Sequence, residues 1–370
     1  MKTNRSLTCV LIMAGGTGGH VFPGLAVARY LLDHGVTVHW LGAAQGLEAS
    51  LVPAAGIPLH LVTIGGLRGK GIKPLLLAPF KIMRAISQSA RIMKAVNPDV
   101  VLGMGGFVSG PGGVACWLRR RPLVIHEQNA KAGMTNQCLA YLAKRILAGF
   151  PSAFRRQTKV WVVGNPVRQE IEALPAPLSR FAAPRSRLRL LVLGGSLGAQ
   201  ALNEMVPRAL SLLPPNEHPL VLHQTGNKHL ESTKKAYESR GVTGELKPFI
   251  ENMGEAYGWA DLVLCRAGAL TVSELCAVGL GAVLVPFPYA VDDHQTANAQ
   301  FMVSHQAAIC VQQAALTDRQ LADIVKQFVA APEKRLRMAQ AAYQLRKIKV
   351  SEKIFDILRE VACAEAKQSY

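Results

Sequence analysis

"CVLIMAGGTGGHVFPGLAVARYLLDHG", residues 9–35, passes from an apolar run through a glycine turn ending at His20 and into an amphipathic segment. Lys2 and Arg5, ahead of the apolar residues 7–14, imitate the start of a secretion signal. The continuation argues against one, because Phe22, Leu25, Ala26, Leu31 and Leu32 recur at three-to-four spacing and predict a helix directly after the turn. A buried parallel strand opening onto a helix accounts for both halves. The dinucleotide fingerprint also fails, since Gly16, Thr17 and Gly18 would require another glycine at the position held by Val21. What remains is a glycine turn at a helix N-terminus, where unpaired N–H groups and the helix dipole suit an anion such as phosphate.

The same grammar runs along the chain. Short apolar strands are expected at 8–14, 37–41, 100–102, 123–126, 159–163, 189–193, 220–224, 262–265 and 282–286, each alternating with helical patterns. This is the signature of βαβ units and parallel sheets, hence the α/β class. "LLVLGGSLGAQALNEMVPRAL" (190–210) repeats the strand, glycine turn and helix of residues 9–31, so two doubly wound, Rossmann-like domains are expected. Pro151, Pro166, Pro175, Pro177 and Pro184 mark the stretch between them as loop-rich. The boundary is placed near Asn165, giving domains 1–165 and 166–341, with an amphipathic helix at about 342–365 packing back on the first. At 370 residues and 49% hydrophobic content, both can build a core.

Composition narrows the function. The seven cysteines are scattered without a C-x-x-C pair, which suits a reducing compartment and excludes a zinc ribbon. The apolar tract 277–291 is broken by Gly279, Gly281, Pro286 and Pro288, short of the ~20 residues a spanning helix needs. A formal net charge of +18 implies an anionic partner. With 6% aromatic residues and no aromatics interleaved among basic ones, a lipid or diphosphate ligand is favoured over nucleic acid.

Four segments carry the candidate chemistry: "GGTGGH" (15–20), "GMGGFVSGP" (103–111), "GGSLGAQALN" (194–203) and "CRAGALTVSEL" (265–275). One glycine loop is weak, because tight strand-to-helix turns need glycine for steric reasons alone. Four at the same topological position point to phosphate handling. His20 falls in a first helical turn, where the positive helix end favours a neutral imidazole able to take a proton, so it is the candidate general base. Glu127 of "HEQNA" (126–130) is the runner-up base, against a loop role. Glu274 lies within the helix after "CRAG", where a carboxylate can accept two hydrogen bonds from a ribose diol. In "DDHQTANA" (292–299) the consecutive Asp292, Asp293 and His294 do not share a face, so no metal site is expected, and Gln295 is the candidate for a sugar hydroxyl.

Taken together and in order, "GGTGGH", "GMGGFVSGP", "HEQN", "GNPVR", "GGSLGA", "RAGALTVSE" and "DDHQTANA" resemble the bacterial glycosyltransferases that add N-acetylglucosamine to the lipid-linked muramyl pentapeptide of peptidoglycan synthesis. The resemblance spans about residues 13–298. It implies a GT-B fold with two domains facing a central cleft, an inverting transfer, no cofactor and no metal. The implied partners are UDP-N-acetylglucosamine, a polyprenyl-diphosphate-linked muramyl pentapeptide, an anionic membrane surface and other proteins of cell-wall synthesis or division, at the cytoplasmic face of the plasma membrane.

Carried over by residue, the donor falls mainly to the second domain: Ser196 at the diphosphate, Arg168 of "GNPVR" as positive charge, and Ile250 of "PFIENM" at uracil through its backbone. Ala269, Leu270, Thr271, Val272 and Ser273 would cradle the phosphates, with Glu274 on the ribose. Gln295, Asn129 and the Thr17, Gly18 and Gly19 amides would hold the sugar, and Gly16, Gly105, Gly106 and Ser109 the acceptor diphosphate. Two positions depart from the family pattern, Phe107 where many relatives carry tyrosine and Leu197 where they often carry glutamine.

"GLRGKGIKPLLLAPFKIMRAI" (66–86) alternates Arg68, Lys70, Lys73, Lys81 and Arg84 with Leu75, Leu76, Leu77, Phe80 and Ile82. Such a patch suits a membrane surface, at about 1 kcal/mol per basic residue near anionic lipid, and Trp117 with Arg119, Arg120 and Arg121 would extend it. The competing assignments are a UDP-hexose transferase acting on another lipid such as diacylglycerol, a nicotinamide enzyme that the missing fingerprint disfavours, and a membrane scaffold without activity.

Overall fold

The apolar run ahead of the first glycine turn is a strand, β1 (Cys9–Ala14), buried from Val10 onward and paired on both edges. The computed structural model describes residues 7–65, 78–154, 159–183, 185–195 and 198–368. They divide into two units, Met1–Pro166 with Lys349–Tyr370, and Val167–Ile348.

In the first unit β1 is joined by β2 (Thr37–Gly42), β3 (Leu59–Leu61), β4 (Val100–Gly105), β5 (Leu123–Glu127), β6 (Arg145–Ala148) and β7 (Val160–Val162), in the order β3-β2-β1-β4-β5-β6-β7. All pairings are parallel. The second unit has β8 (Arg189–Leu193), β9 (Leu220–Gln224), β10 (Glu245–Lys247), β11 (Leu262–Cys265), β12 (Ala282–Leu284) and β13 (Ala308–Cys310), in the order β10-β9-β8-β11-β12-β13, again parallel throughout. In each sheet the order reverses between the first strand and the fourth. Ligands of doubly wound sheets bind at that switch point, beyond the strands' carboxyl ends. The loops after β1 and β4, and after β8 and β11, are the four glycine-rich segments, so each switch point gathers two of them.

The cores explain the helices that hold these loops. Helix Gly18–Asp33 buries Val21, Val27, Ala28 and Leu31 against β1, β2 and β4, and Ile354, Ile357, Leu358 and Val361 of helix Val350–Gln368 complete the same cluster. Fully buried Trp40 donates its indole N–H to the Ala14 carbonyl at 2.9 Å. Gly24 has no side chain because a Cβ there would lie 2.6 Å from the Trp40 ring. In the second unit, helices Gln200–Leu210 and Asp318–Ala330 pack Leu202, Val206, Leu321, Val325 and Phe328 onto β8 and β11.

Four strands were not anticipated: β3, β6, β10 and β13, each three or four residues long and too short to display a period. The strand expected to reach Pro286 ends at Leu284, since proline cannot donate to a ladder.

Candidate functional site

The two loops at the first switch point interlock. Thr17 is the extended N-cap of helix Gly18–Asp33, and His20 lies in its first turn, half-buried, its backbone N–H on the Thr17 carbonyl at 3.1 Å. The imidazole packs on the second loop: a Cβ at Gly105 would stand 2.7 Å from His20 Cδ2 and 3.0 Å from Nε2. Gly106 similarly abuts the Gly15 carbonyl. Both glycines adopt positive φ, 102° and 86°, so steric contact and backbone conformation each require glycine there. Among the described residues, the amides of Thr17, Gly18 and Gly19 have no partner, as expected for a first helical turn open to a ligand.

Other groups expected to bind the acceptor diphosphate are occupied inside the fold. Gly16 N–H donates to Glu48 Oε2 at 2.9 Å, and Gly105 N–H donates to Ser109 Oγ at 3.1 Å. The Ser109 hydroxyl is fully buried and shared between the carbonyls of Gly105 and Met13, at 2.8 and 3.1 Å. Gly16, Gly105 and Ser109 therefore shape the loops, and Gly106 allows their close approach. Exposed Phe107 borders Gly16 at the rim.

Glu127, the alternative base, is buried and accepts four hydrogen bonds, from Asn129 N–H (2.9 Å), Asn129 Nδ2 (3.2 Å), Gly133 N–H (3.2 Å) and Asn136 Nδ2 (2.9 Å). Its carboxylate organises the loop carrying Asn129, the loop role that stood beside its candidacy as a base. His126 beside it donates Nε2–H to the Gly164 carbonyl and accepts from Gln128 Nε2; burial holds it below its ordinary pKa, against the opposing pull of the Gly164 hydrogen bond and the Glu127 charge.

At the second switch point, helix Ala269–Val278 begins with Gly268 as N-cap, and among the described residues the amides of Ala269, Leu270 and Thr271 have no partner. Val272 departs from its expected phosphate contact: its side chain is in the core and its N–H donates to the Gly268 carbonyl at 2.9 Å. The Ser273 hydroxyl likewise donates back to the Ala269 carbonyl. Glu274 is the focus. Its side chain is 16% exposed, Oε1 accepts from Arg168 Nη2 at 3.3 Å, and Oε2 accepts from the buried Tyr257 hydroxyl at 2.9 Å. Burial pushes its carboxyl upward while Arg168 and Tyr257 oppose the shift. Arg168 thus acts on Glu274, and Tyr257, whose phenol burial pushes well up, is a site residue the sequence did not reveal.

Gln224 is another. Its Nε2 donates to the Gly195 carbonyl and its Oε1 accepts from Ile250 N–H, both at 2.9 Å, so one carboxamide ties the glycine loop to the "PFIENM" segment. Ile250 N–H is therefore engaged within the fold. Ser196 and Leu197 lie outside the described residues. Gln295 Oε1 accepts from Phe287 N–H at 2.9 Å, which leaves its Nε2 as the donor to offer a hydroxyl. Asn298 fixes the same helix to the Ala267 carbonyl at 3.1 Å. Asp292 and Asp293 ahead of it both have positive φ, 54° and 53°, a strain that proteins keep at functional turns.

Family comparisons fit this division. Residues 10–148 match the glycosyltransferase family 28 N-terminal domain, and residues 189–354 the family 28 C-terminal domain. The chain belongs to glycosyltransferase family 28. Two relatives are each named a UDP-N-acetylglucosamine N-acetylmuramyl-(pentapeptide) pyrophosphoryl-undecaprenol N-acetylglucosamine transferase. The one from Marinobacter nauticus is 53% identical over 95% of this chain and 97% of its own length. The one from Azotobacter vinelandii is 53% identical over 95% and 98%. The crystal structure of Acinetobacter baumannii MurG is similar with a TM-score of 0.83 at 39% identity, over 95% of this chain and 99% of that one. The family 28 fold is of the GT-B type, and the activity is glycosyl transfer.

Of the basic apolar patch expected over residues 66–86, the described part lies in helix Ala78–Val96. Phe80 and Met83 are 72% and 68% exposed, Lys81 and Arg84 are exposed beside them, and Trp117 and Leu118 are exposed on helix Ser109–Leu118, which packs against it. Lys73, Leu75, Leu76 and Leu77 lie outside the described residues. Among the described residues no helix is long and apolar enough to cross a membrane. No three His, Cys, Asp or Glu side chains among them gather to hold a metal.

Proposed function

We propose that this family 28 chain moves N-acetylglucosamine from UDP-N-acetylglucosamine to the C4 hydroxyl of undecaprenyl-pyrophosphoryl-N-acetylmuramyl-pentapeptide, inverting the anomeric configuration. The observation that carries the donor half is Glu274, a buried carboxylate held by Arg168 and Tyr257 and placed five residues beyond Ala269, the first of the unpaired amides that open its helix. At 1.5 Å rise per residue the offset is about 7.5 Å, which suits a diphosphate at the helix start and a ribose diol at Glu274. The acceptor assignment is supported by the names of the relatives at 53% identity.

The chemistry is one displacement. The C4 oxygen of the muramyl sugar bonds to the anomeric carbon as the bond from that carbon to the UDP oxygen breaks. His20 takes the hydroxyl proton, and the amides of Ala269, Leu270 and Thr271 with their helix dipole stabilise charge developing on the leaving diphosphate. Thr17, Gly18 and Gly19 amides, Gln295 Nε2 and Asn129 orient the sugars. Phe80, Met83 and Trp117, with Lys81 and Arg84, seat the first unit on an anionic membrane while the polyprenyl tail stays in the bilayer.

Transfer of labelled N-acetylglucosamine to the lipid-linked muramyl pentapeptide and to diacylglycerol, side by side, tests this assignment. Transfer to the muramyl lipid alone is expected. Transfer to diacylglycerol alone would leave the donor half standing and overturn the acceptor.

A further inference from the structure

Glu48 is a fully buried carboxylate that this mechanism does not use. It begins helix Glu48–Ala54, and among the described residues no cation lies within ion-pair reach. Burying a carboxylate is costly unless hydrogen bonds hold it. Its holders are two backbone amides, Gly16 on Oε2 and Ala43 on Oε1, each at 2.9 Å. The fold makes room for it with three glycines: a Cβ at Gly15 would lie 2.5 Å from Oε1, one at Gly42 would lie 2.7 Å from Cγ, and one at Gly46 would collide with Oε2. Leu47 N–H also meets the Gly16 carbonyl at 3.4 Å, so the segment 43–48 grips Gly16 on both its donor and its acceptor.

We propose that Glu48 is the positioning residue of the first glycine loop. By clamping Gly16 and Ala43 to one rigid carboxylate, it ties the loop after β1 to the loop after β2. The amides of Thr17, Gly18 and Gly19 and the His20 imidazole are thereby fixed toward substrate. The last clause rests on the function proposed above; the clamp itself does not. A solvated helix-start glutamate would need neither three flanking glycines nor complete burial, and an apolar side chain would fill the space without holding Gly16.

Glu48→Gln keeps the volume but turns an NH2 toward one of the two amides. Loss of a charge-assisted hydrogen bond at a reacting loop predicts a fall in kcat/KM for the lipid acceptor of about 10–100-fold. Affinity for UDP, which lacks the sugar that the Thr17, Gly18 and Gly19 amides are proposed to orient and is assigned to the second unit, is expected to stay within about twofold of wild type. Gly46→Ala displaces the same carboxylate without changing its charge and should reproduce the defect. The double variant should be no worse than the more impaired single one, because both act through one contact. Deuterium uptake by the peptide covering residues 14–20 should rise in each variant, a readout that needs no turnover.

Wild-type transfer with unimpaired, folded variants would overturn the proposal, as would multiplying effects in the double variant or UDP affinity falling in step with melting temperature. Absence of transfer by the wild type would instead count against the proposed function, while loop exchange still decides the role of Glu48.

Discussion

Tyr257→Phe removes one hydroxyl from the carboxylate proposed to hold the ribose and leaves volume unchanged. Burial raises the Glu274 pKa, opposed by Arg168 and by the Tyr257 hydroxyl, which donates at 2.9 Å from a buried position. A hydrogen bond to a charged group contributes about 1.5–3 kcal/mol, and its loss disfavours the ionised carboxylate. The variant's carboxyl should therefore titrate higher than the wild type's. A ribose diol donates to the ionised form, so donor affinity exists above the folded pKa and is lost as pH falls through it. For folding the sign is reversed: ionised Glu274 weakens the fold above its raised pKa, and acid relieves that cost. Calorimetric titration of UDP-N-acetylglucosamine from about pH 5 to pH 9 should show the acid limb displaced to higher pH in the variant, with the two curves converging at the alkaline end. Superimposable curves, or an equal loss at every pH, would refute this reasoning.

Burial lowers His223 to about 3, between the Tyr237 hydroxyl on Nδ1 and Asn203 Oδ1 on Nε2. Its ordinary pKa is higher, so its contribution to stability is complete above about pH 6.5 and fades as pH falls toward the folded value, costing about 2 kcal/mol by pH 5. Urea titrations should show that slope in the wild type and not in His223→Gln; His126, common to both, cancels. Glu127→Gln leaves an NH2 facing the donors of Asn129, Gly133 and Asn136, and should lower Tm by about 3–8 °C while slowing transfer far less than loss of His20. Intact stability with transfer lost as completely as in His20→Ala would make Glu127 the base. Replacing Phe80 and Met83 by Asp should weaken sedimentation with anionic vesicles by about 10-fold or more and leave UDP-N-acetylglucosamine binding intact, whereas undiminished sedimentation would place the membrane surface elsewhere.

The local grammar of strand, glycine turn and helix was legible because each piece lies within about 25 consecutive residues, and it delivered both sheets and the four glycine-rich loops. Strand order was not legible, because pairing β1 with β4 and β8 with β11 is decided by long-range contacts, and that order is what brings the loops together in pairs. The same distance hid Tyr257, Gln224 and Glu48. Glu48 in "GLEASL" lies outside every motif, and only the folded chain puts it under Gly16, 32 residues away. At Gly16, Gly105, Ser109 and Val272 motif position suggested ligand contact, and the fold also engages their amides or side chains internally.

The central claim is a division of labour, with His20 on the first unit serving the acceptor and the Glu274 helix on the second serving the donor. The most direct test is His20→Ala, measured for both UDP-N-acetylglucosamine affinity and transfer to the lipid-linked muramyl pentapeptide. Donor affinity within about threefold of wild type, with kcat lower by about 100-fold or more, is the predicted result. Transfer within about tenfold of wild type would contradict the account and require a different group to take the proton.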